Sequence, residues 1–101
     1  MQQEYQFMVD FSLPKVLPEE FLRQIPHQRA KVNKLFREGK LINYALSLDN
    51  SKIWAIVNAD SELDVLELIS QLPLSRFMQY KINLLTLFNS VSAESPMFSS
   101  N

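Results

Sequence analysis

The chain has 101 residues, with 10 Lys+Arg against 11 Asp+Glu and one His, a formal net charge of -1. Hydrophobic residues make up 47% and charged residues 21%, the composition of one globular domain rather than of a disordered chain. The absence of Cys and the single His and single Gly exclude disulfides, a Cys nucleophile, thiolate or multi-His metal sites and a Gly-rich phosphate loop, so neither metal nor cofactor is expected. The near-zero charge argues against nucleic-acid partners. No apolar run reaches the ~20 residues of a membrane span, and the N-terminus lacks the basic and apolar regions of a signal peptide. The expectation is a cytoplasmic domain with neither nucleic acid nor membrane as partner.

Residues 4–13 alternate Tyr5, Phe7, Val9, Phe11 and Leu13 with Gln6, Met8, Asp10 and Ser12, the period of a half-buried strand. Pro14 and Pro18 then break the chain. Over residues 19–38, Phe21, Ile25, Val32, Leu35 and Phe36 recur at helical spacing, with Gly39 placed for a left-handed C-cap and Pro26 predicting a kink or a second helical piece. Residues 41–48 and 52–58, separated by Asp49-Asn50-Ser51, read as a β-hairpin. Ser61 and Asp64 offer a weakened capping box to a second helix striped by Leu63, Leu66, Ile69 and Leu72 and ended by Pro73. Residues 77–88 read as a last strand, with Met78, Tyr80, Ile82 and Leu84 in alternation. Residues 1–89 form the predicted domain. Residues 90–101 form a serine-rich tail whose Met97 and Phe98 are candidates for docking on a partner subunit.

The order β-α-β-β-α-β predicts an α+β, ferredoxin-like fold: one antiparallel sheet with two helices on one face. If the hairpin pairs symmetrically about Asn50, Tyr44, Leu46, Trp54 and Ile56 share one face, and Leu41, Asn43, Ala45, Ser47 and Ala55 share the other. A one-residue shift would exchange the faces on one strand. Two helices cover one sheet face only, and the bulky face would leave a large apolar patch in water. A homodimer packed sheet to sheet is therefore expected, with Tyr44, Leu46, Trp54 and Ile56 as interface candidates.

The run LFREGKL, the hairpin after it and above all SQLPLSRFM resemble the muconolactone delta-isomerase family, over about residues 5–89. Gln71-Leu72-Pro73-Leu74 followed by an aromatic residue and Met78 is the most specific part, and Arg37-Glu38-Gly39 supports it. The resemblance implies a dimeric α+β barrel, with larger homo-oligomers in the family. It also implies an activity in aromatic catabolism that moves a proton within an unsaturated lactone without metal or cofactor. That reaction needs a base, an acid and a donor for the developing enolate. The family's pattern implies a lysine and a glutamate on the first helix, where this chain has Ile25 and Gln28. It implies a histidine at Asn43, flanked by basic residues at Ile42 and Leu46. The chain keeps the scaffold's signature and replaces these acid–base groups.

The site candidates follow. Gln28 lies mid-stripe on the first helix, aimed at the sheet, where a buried amide needs partners; it is read as a ligand contact or as paired with Asn43 or the backbone. Asn43 and Ser47 lie on the small-residue face, where they line a pocket or admit close helix packing. Lys31 is placed at the mouth of such a pocket or in solvent. Tyr44 and Trp54 stack on a ligand or anchor an interface. His27, a general base by residue type, points away from the stripe, and Asp10 lies on the polar face of the first strand. The six basic residues between Arg23 and Lys40 spread around the helix as a solvated surface. Two functions stand open. One is a small-molecule-binding protein acting as a cofactor-free isomerase on a lactone or aromatic-derived compound. The other is a catalytically silent homo-oligomeric binding or assembly module. A cavity of a few hundred cubic ångströms would favour the first, and Gln28 bonded to Asn43 in a closed interior the second.

Overall fold

A computed structural model of the chain describes residues 4–89; the tail expectation, Met97 and Phe98 included, lies outside the described residues. The elements are β1 (Tyr5–Ser12), α1 (Glu19–Arg37), β2 (Leu41–Ser47), β3 (Lys52–Ala59), α2 (Glu62–Ser70), a 3-10 turn (Ser75–Phe77) and β4 (Gln79–Leu84). The sheet order is β2-β3-β1-β4, with every neighbouring pair antiparallel. This is the ferredoxin-like arrangement, an α+β fold with two helices over a four-stranded sheet.

Alternation on β1 does what the pattern predicts. Phe7, Val9 and Phe11 are buried under the helices, and their cross-strand partners on β3 are Val57, Ala55 and Ile53. Along α1, Phe21, Gln28, Val32 and Leu35 are buried, residues that fall on one face at 3.6 per turn. The helix is unbroken at Pro26. The ring removes the N–H that would bond the Leu22 carbonyl, and Leu22 and Pro26 are both exposed, so water can take that carbonyl. The helix ends as its glycine predicts. Gly39 has φ +73, its N–H donates to Phe36 O (3.0 Å) and that of Lys40 to Leu35 O (3.0 Å), the bond pair of a Schellman motif.

Three details differ from expectation. The buried stripe of α2 is Val65, Leu68, Ile69 and Leu72, while Leu63 is 75% exposed; spacing i, i+3, i+4, i+7 from Val65 gives the wider apolar stripe. The last strand is shorter than predicted. It starts after the 3-10 turn and ends at Leu84, with one more bond to β1 beyond it, from Leu85 N–H to Gln6 O (2.9 Å).

The third difference moves the site. The hairpin pairs Ser47 with Lys52, Leu46 with Ile53 and Tyr44 with Ala55, one residue from the symmetric register. Its loop is Leu48–Ser51, four residues rather than three. Ser51 takes φ 53, its N–H donates to Leu48 O (3.2 Å), and Asn50 N–H donates to Ser47 Oγ (3.3 Å). A side-chain period of two converts the one-residue shift into an exchange of faces along β2. Tyr44 and Leu46 therefore lie on the helix side with Ile53 and Ala55, and Asn43, Ala45 and Ser47 lie on the open side with Ile56, Trp54 and Lys52. The expected grouping of Tyr44 and Leu46 with Trp54 and Ile56 is corrected accordingly.

Candidate functional site

A cavity of about 430 Å³ opens between α1, the β1–α1 connection and the β2–β3 hairpin. Its wall is apolar for the most part: Phe21, Ile25, Val32, Leu46, Ile53 and Leu74 all contribute. The size suits a small organic molecule, since ligand pockets run from roughly 300 to 1,000 Å³ and are lined by apolar side chains with a few placed polar groups. A second cavity, about 290 Å³, lies by the start of α2 and is lined by Glu4, Lys40, Asp60, Asp64 and Glu67 among others. Its charged groups are exposed and remain solvated, so it offers no dry wall.

Gln28 carries the polar end of the larger cavity. It is the one buried polar residue among those described, at 4% exposure, and both ends of its amide are engaged. Leu74 N–H donates to Gln28 Oε1 at 3.0 Å, and Gln28 Nε2 donates to the Tyr44 hydroxyl at 3.1 Å. The first bond has a local cause. Pro73 stops α2, and Leu74 becomes the N-cap of the 3-10 turn. Its N–H then points away from any helical acceptor, and α1 supplies one from across the core. The SQLPLS run thus joins α2 to α1 through Gln28. Gln28 is paired with Tyr44 and Leu74, not with Asn43. Among described residues, no buried side-chain nitrogen or oxygen lacks a partner.

Tyr44 stands where β2 passes beneath α1. Burial pushes its hydroxyl above its ordinary pKa of 10.0, and the hydrogen bond from Gln28 pulls the other way with smaller effect. The phenol is therefore neutral at physiological pH. Arg29 and Asn33, one helical turn apart, complete the polar lining.

Of the predicted pocket residues, Gln28 lines this cavity, whereas Asn43, Ser47 and Lys31 do not. Asn43 and Ser47 lie on the open sheet face for the reason of register given above. Lys31 is half-buried but sits three residues past Gln28, on the other flank of the Gln28–Val32–Phe36 stripe. Of the interface candidates, Tyr44 and Leu46 line the cavity, while Trp54 and Ile56 face the open side of the sheet. His27 is exposed and lines none of these walls. Asp10, also on the open face, takes a bond from Lys52 Nζ at 3.0 Å, and the same ammonium donates to Ser12 Oγ at 3.0 Å. Sequence reasoning missed Arg29, Asn33 and the Leu74 N–H. The stripe one step round from Gln28 could have shown the first two, and Pro73 the third.

Among the described residues no group of three or more His, Cys, Asp or Glu is placed to hold a metal ion. Nor is any described helix long and apolar enough to cross a membrane. No curated protein sequence matches the chain. Among solved structures, the crystal structure of muconolactone isomerase superposes with a TM-score of 0.62 and 22% sequence identity, over 89% of this chain and 96% of that one. That likeness shows the shared fold. The sequence profile described as muconolactone delta-isomerase matches residues 3–90, nearly the whole chain, and the chain belongs to the muconolactone delta-isomerase family.

Proposed function

We propose that the protein binds a small, largely apolar molecule of lactone or aromatic-derived kind between α1 and the sheet, without base-driven isomerisation. The observation that carries this reading is the wall of the 430 Å³ cavity, which is apolar except for Gln28, Tyr44, Arg29 and Asn33. Moving a proton from carbon requires a base within reach. Among the described residues neither a carboxylate nor an imidazole lines the cavity. Glutamine and asparagine do not take up protons at neutral pH, arginine stays charged, and burial disfavours the tyrosinate form of Tyr44. The described residues of the cavity wall are equipped to hold a ligand and include no group that would deprotonate it.

The same reading has the protein act as a homodimer or higher homo-oligomer. On the open sheet face Met8 lies opposite Ile56, with Trp54 two residues before Ile56 on β3; Ile56 is already covered at 7% exposure, and the apolar strip across the two central strands meets water at the half-buried Met8 and Trp54. A second copy covering this strip would remove it from water.

The test is muconolactone in D2O, followed by NMR. Saturable, protein-dependent broadening of the lactone signals, with deuterium incorporation no faster than in buffer, is the expected result. Protein-dependent incorporation would overturn the absence of base chemistry, and no broadening at any concentration would overturn lactone binding.

A further inference from the structure

The hydrogen bonds at the polar end of the cavity run in one direction. A backbone N–H only donates, so the Gln28 atom 3.0 Å from Leu74 N is the amide oxygen. That fixes the amide the other way round at its far end. Nε2 faces Tyr44 at 3.1 Å, and an amide nitrogen does not accept. The Tyr44 hydroxyl is therefore the acceptor in this bond, and its own hydrogen cannot lie along it. Among the described residues Tyr44 makes no other hydrogen bond. Both hydrogens left over in the pair, that of Tyr44 and the second on Nε2, belong to donors.

We propose that Tyr44 is a dedicated hydrogen-bond donor to the ligand, and that the ligand is a carbonyl compound, a ketone, lactone or ester, lodged oxygen-first against it. This rests on the reading that the cavity binds a small molecule, and it adds the chemistry of the group recognised. A carbonyl oxygen has lone pairs and no hydrogen, so it complements a donor without presenting a clashing one. The apolar wall takes the hydrocarbon body, and a buried donor left without an acceptor would cost more than the bond gains. Burial of the phenol supports the assignment, since it holds the proton on oxygen at neutral and mildly alkaline pH.

The test compares two probes of one shape, 2-acetonaphthone and 2-isopropenylnaphthalene, in which C=O replaces C=CH2. Their affinities are measured by equilibrium dialysis for the native protein and for Tyr44→Phe. The ratio of ketone to hydrocarbon affinity is expected to fall about tenfold in the variant, the worth of one such bond. Hydrocarbon affinity is expected to stay unchanged, which shows the cavity intact. The infrared carbonyl stretch of the bound ketone should sit at lower frequency in the native protein than in Tyr44→Phe, a difference that a packing role for Tyr44 would not produce. An unchanged ratio with both probes bound overturns Tyr44 as donor and leaves cavity binding standing. Failure of both probes to bind the native protein overturns the cavity reading and this proposal with it.

Discussion

Replacing Gln28 by leucine tests whether the bridge from α1 to the 3-10 turn holds the domain together. Leucine fills nearly the same volume, so the change removes hydrogen bonds and leaves little cavity. Two bonds go, to Leu74 N–H at 3.0 Å and to the Tyr44 hydroxyl at 3.1 Å. Their costs differ. The Tyr44 hydroxyl borders a cavity open to water and can be resolvated, losing about 0.5 kcal/mol. The Leu74 N–H is a buried backbone donor that stays in place in the variant, and leaving it unpaired costs ~1–3 kcal/mol. Leucine returns about 1 kcal/mol of that through its greater apolar burial. The net is a loss of about 0.5–2.5 kcal/mol, equivalent to a fall in Tm of roughly 2–20 °C for a domain of this size. Urea unfolding at fixed protein concentration should show a lower midpoint with an unchanged m-value. A variant as stable as the parent would mean that Leu74 N–H finds another acceptor, and the bridge would have no structural weight.

Three further outcomes are expected. The folded-state pKa of Tyr44 is raised above the ordinary 10.0, so the stability it contributes is full below pH 10 and is lost as pH climbs toward the folded value; urea midpoints should therefore fall above pH 10 in the native protein relative to Tyr44→Phe, and parallel profiles would count against the shift. Gly39→Ala places a Cβ at φ +73 with nothing within 4 Å, so only backbone strain of about 1–2 kcal/mol should appear in thermal unfolding, and an unchanged Tm would refute it. Trp54→Asp puts a charge on the apolar strip of the open face and should shift the sedimentation coefficient to that of a monomer, while an unaltered value would place any self-association elsewhere.

Where local chemistry decides a structure, the sequence was legible. The alternation of Phe7, Val9 and Phe11 names the buried face of β1, Gly39 closes α1 with the predicted left-handed turn, and Ser61 caps α2 by accepting from Asp64 N–H at 3.2 Å. The order of elements then leaves few topologies, and the ferredoxin-like one is observed. The site was less legible because it depends on one residue of hairpin register. Loops of three and four residues between the same strands are both ordinary, and the choice rests on Ser51 adopting a left-handed conformation and Ser47 bonding the turn. Neither Ser47 nor Ser51 announces this. From that single step follow the placement of Asn43 and Ser47 on the open face and of Tyr44 beside Gln28. Gln28 itself was legible, since a lone amide in the middle of an apolar stripe has to meet something.

What Gln28 meets also shows what its identity decides. The resemblance implies a glutamate at this position, and the two side chains differ by an NH2 in place of an oxygen. A carboxylate here would still take the Leu74 N–H on one oxygen. Its second oxygen would face Tyr44, where two acceptors cannot bond unless the hydroxyl turns and donates inward. The phenol would then present lone pairs to the cavity, beside a carboxylate able to accept a proton. Glutamine reverses both features at once, because it removes the base and turns Tyr44 into an outward donor. Gln28→Glu should therefore raise protein-dependent deuterium incorporation into muconolactone above the buffer rate, and weaken 2-acetonaphthone relative to 2-isopropenylnaphthalene by about the tenfold worth of the lost hydrogen bond. If incorporation stays at the buffer rate while the probe ratio falls, a base at position 28 is not sufficient for proton transfer. If the probe ratio is unchanged, the direction of the Gln28–Tyr44 bond does not govern what the cavity selects.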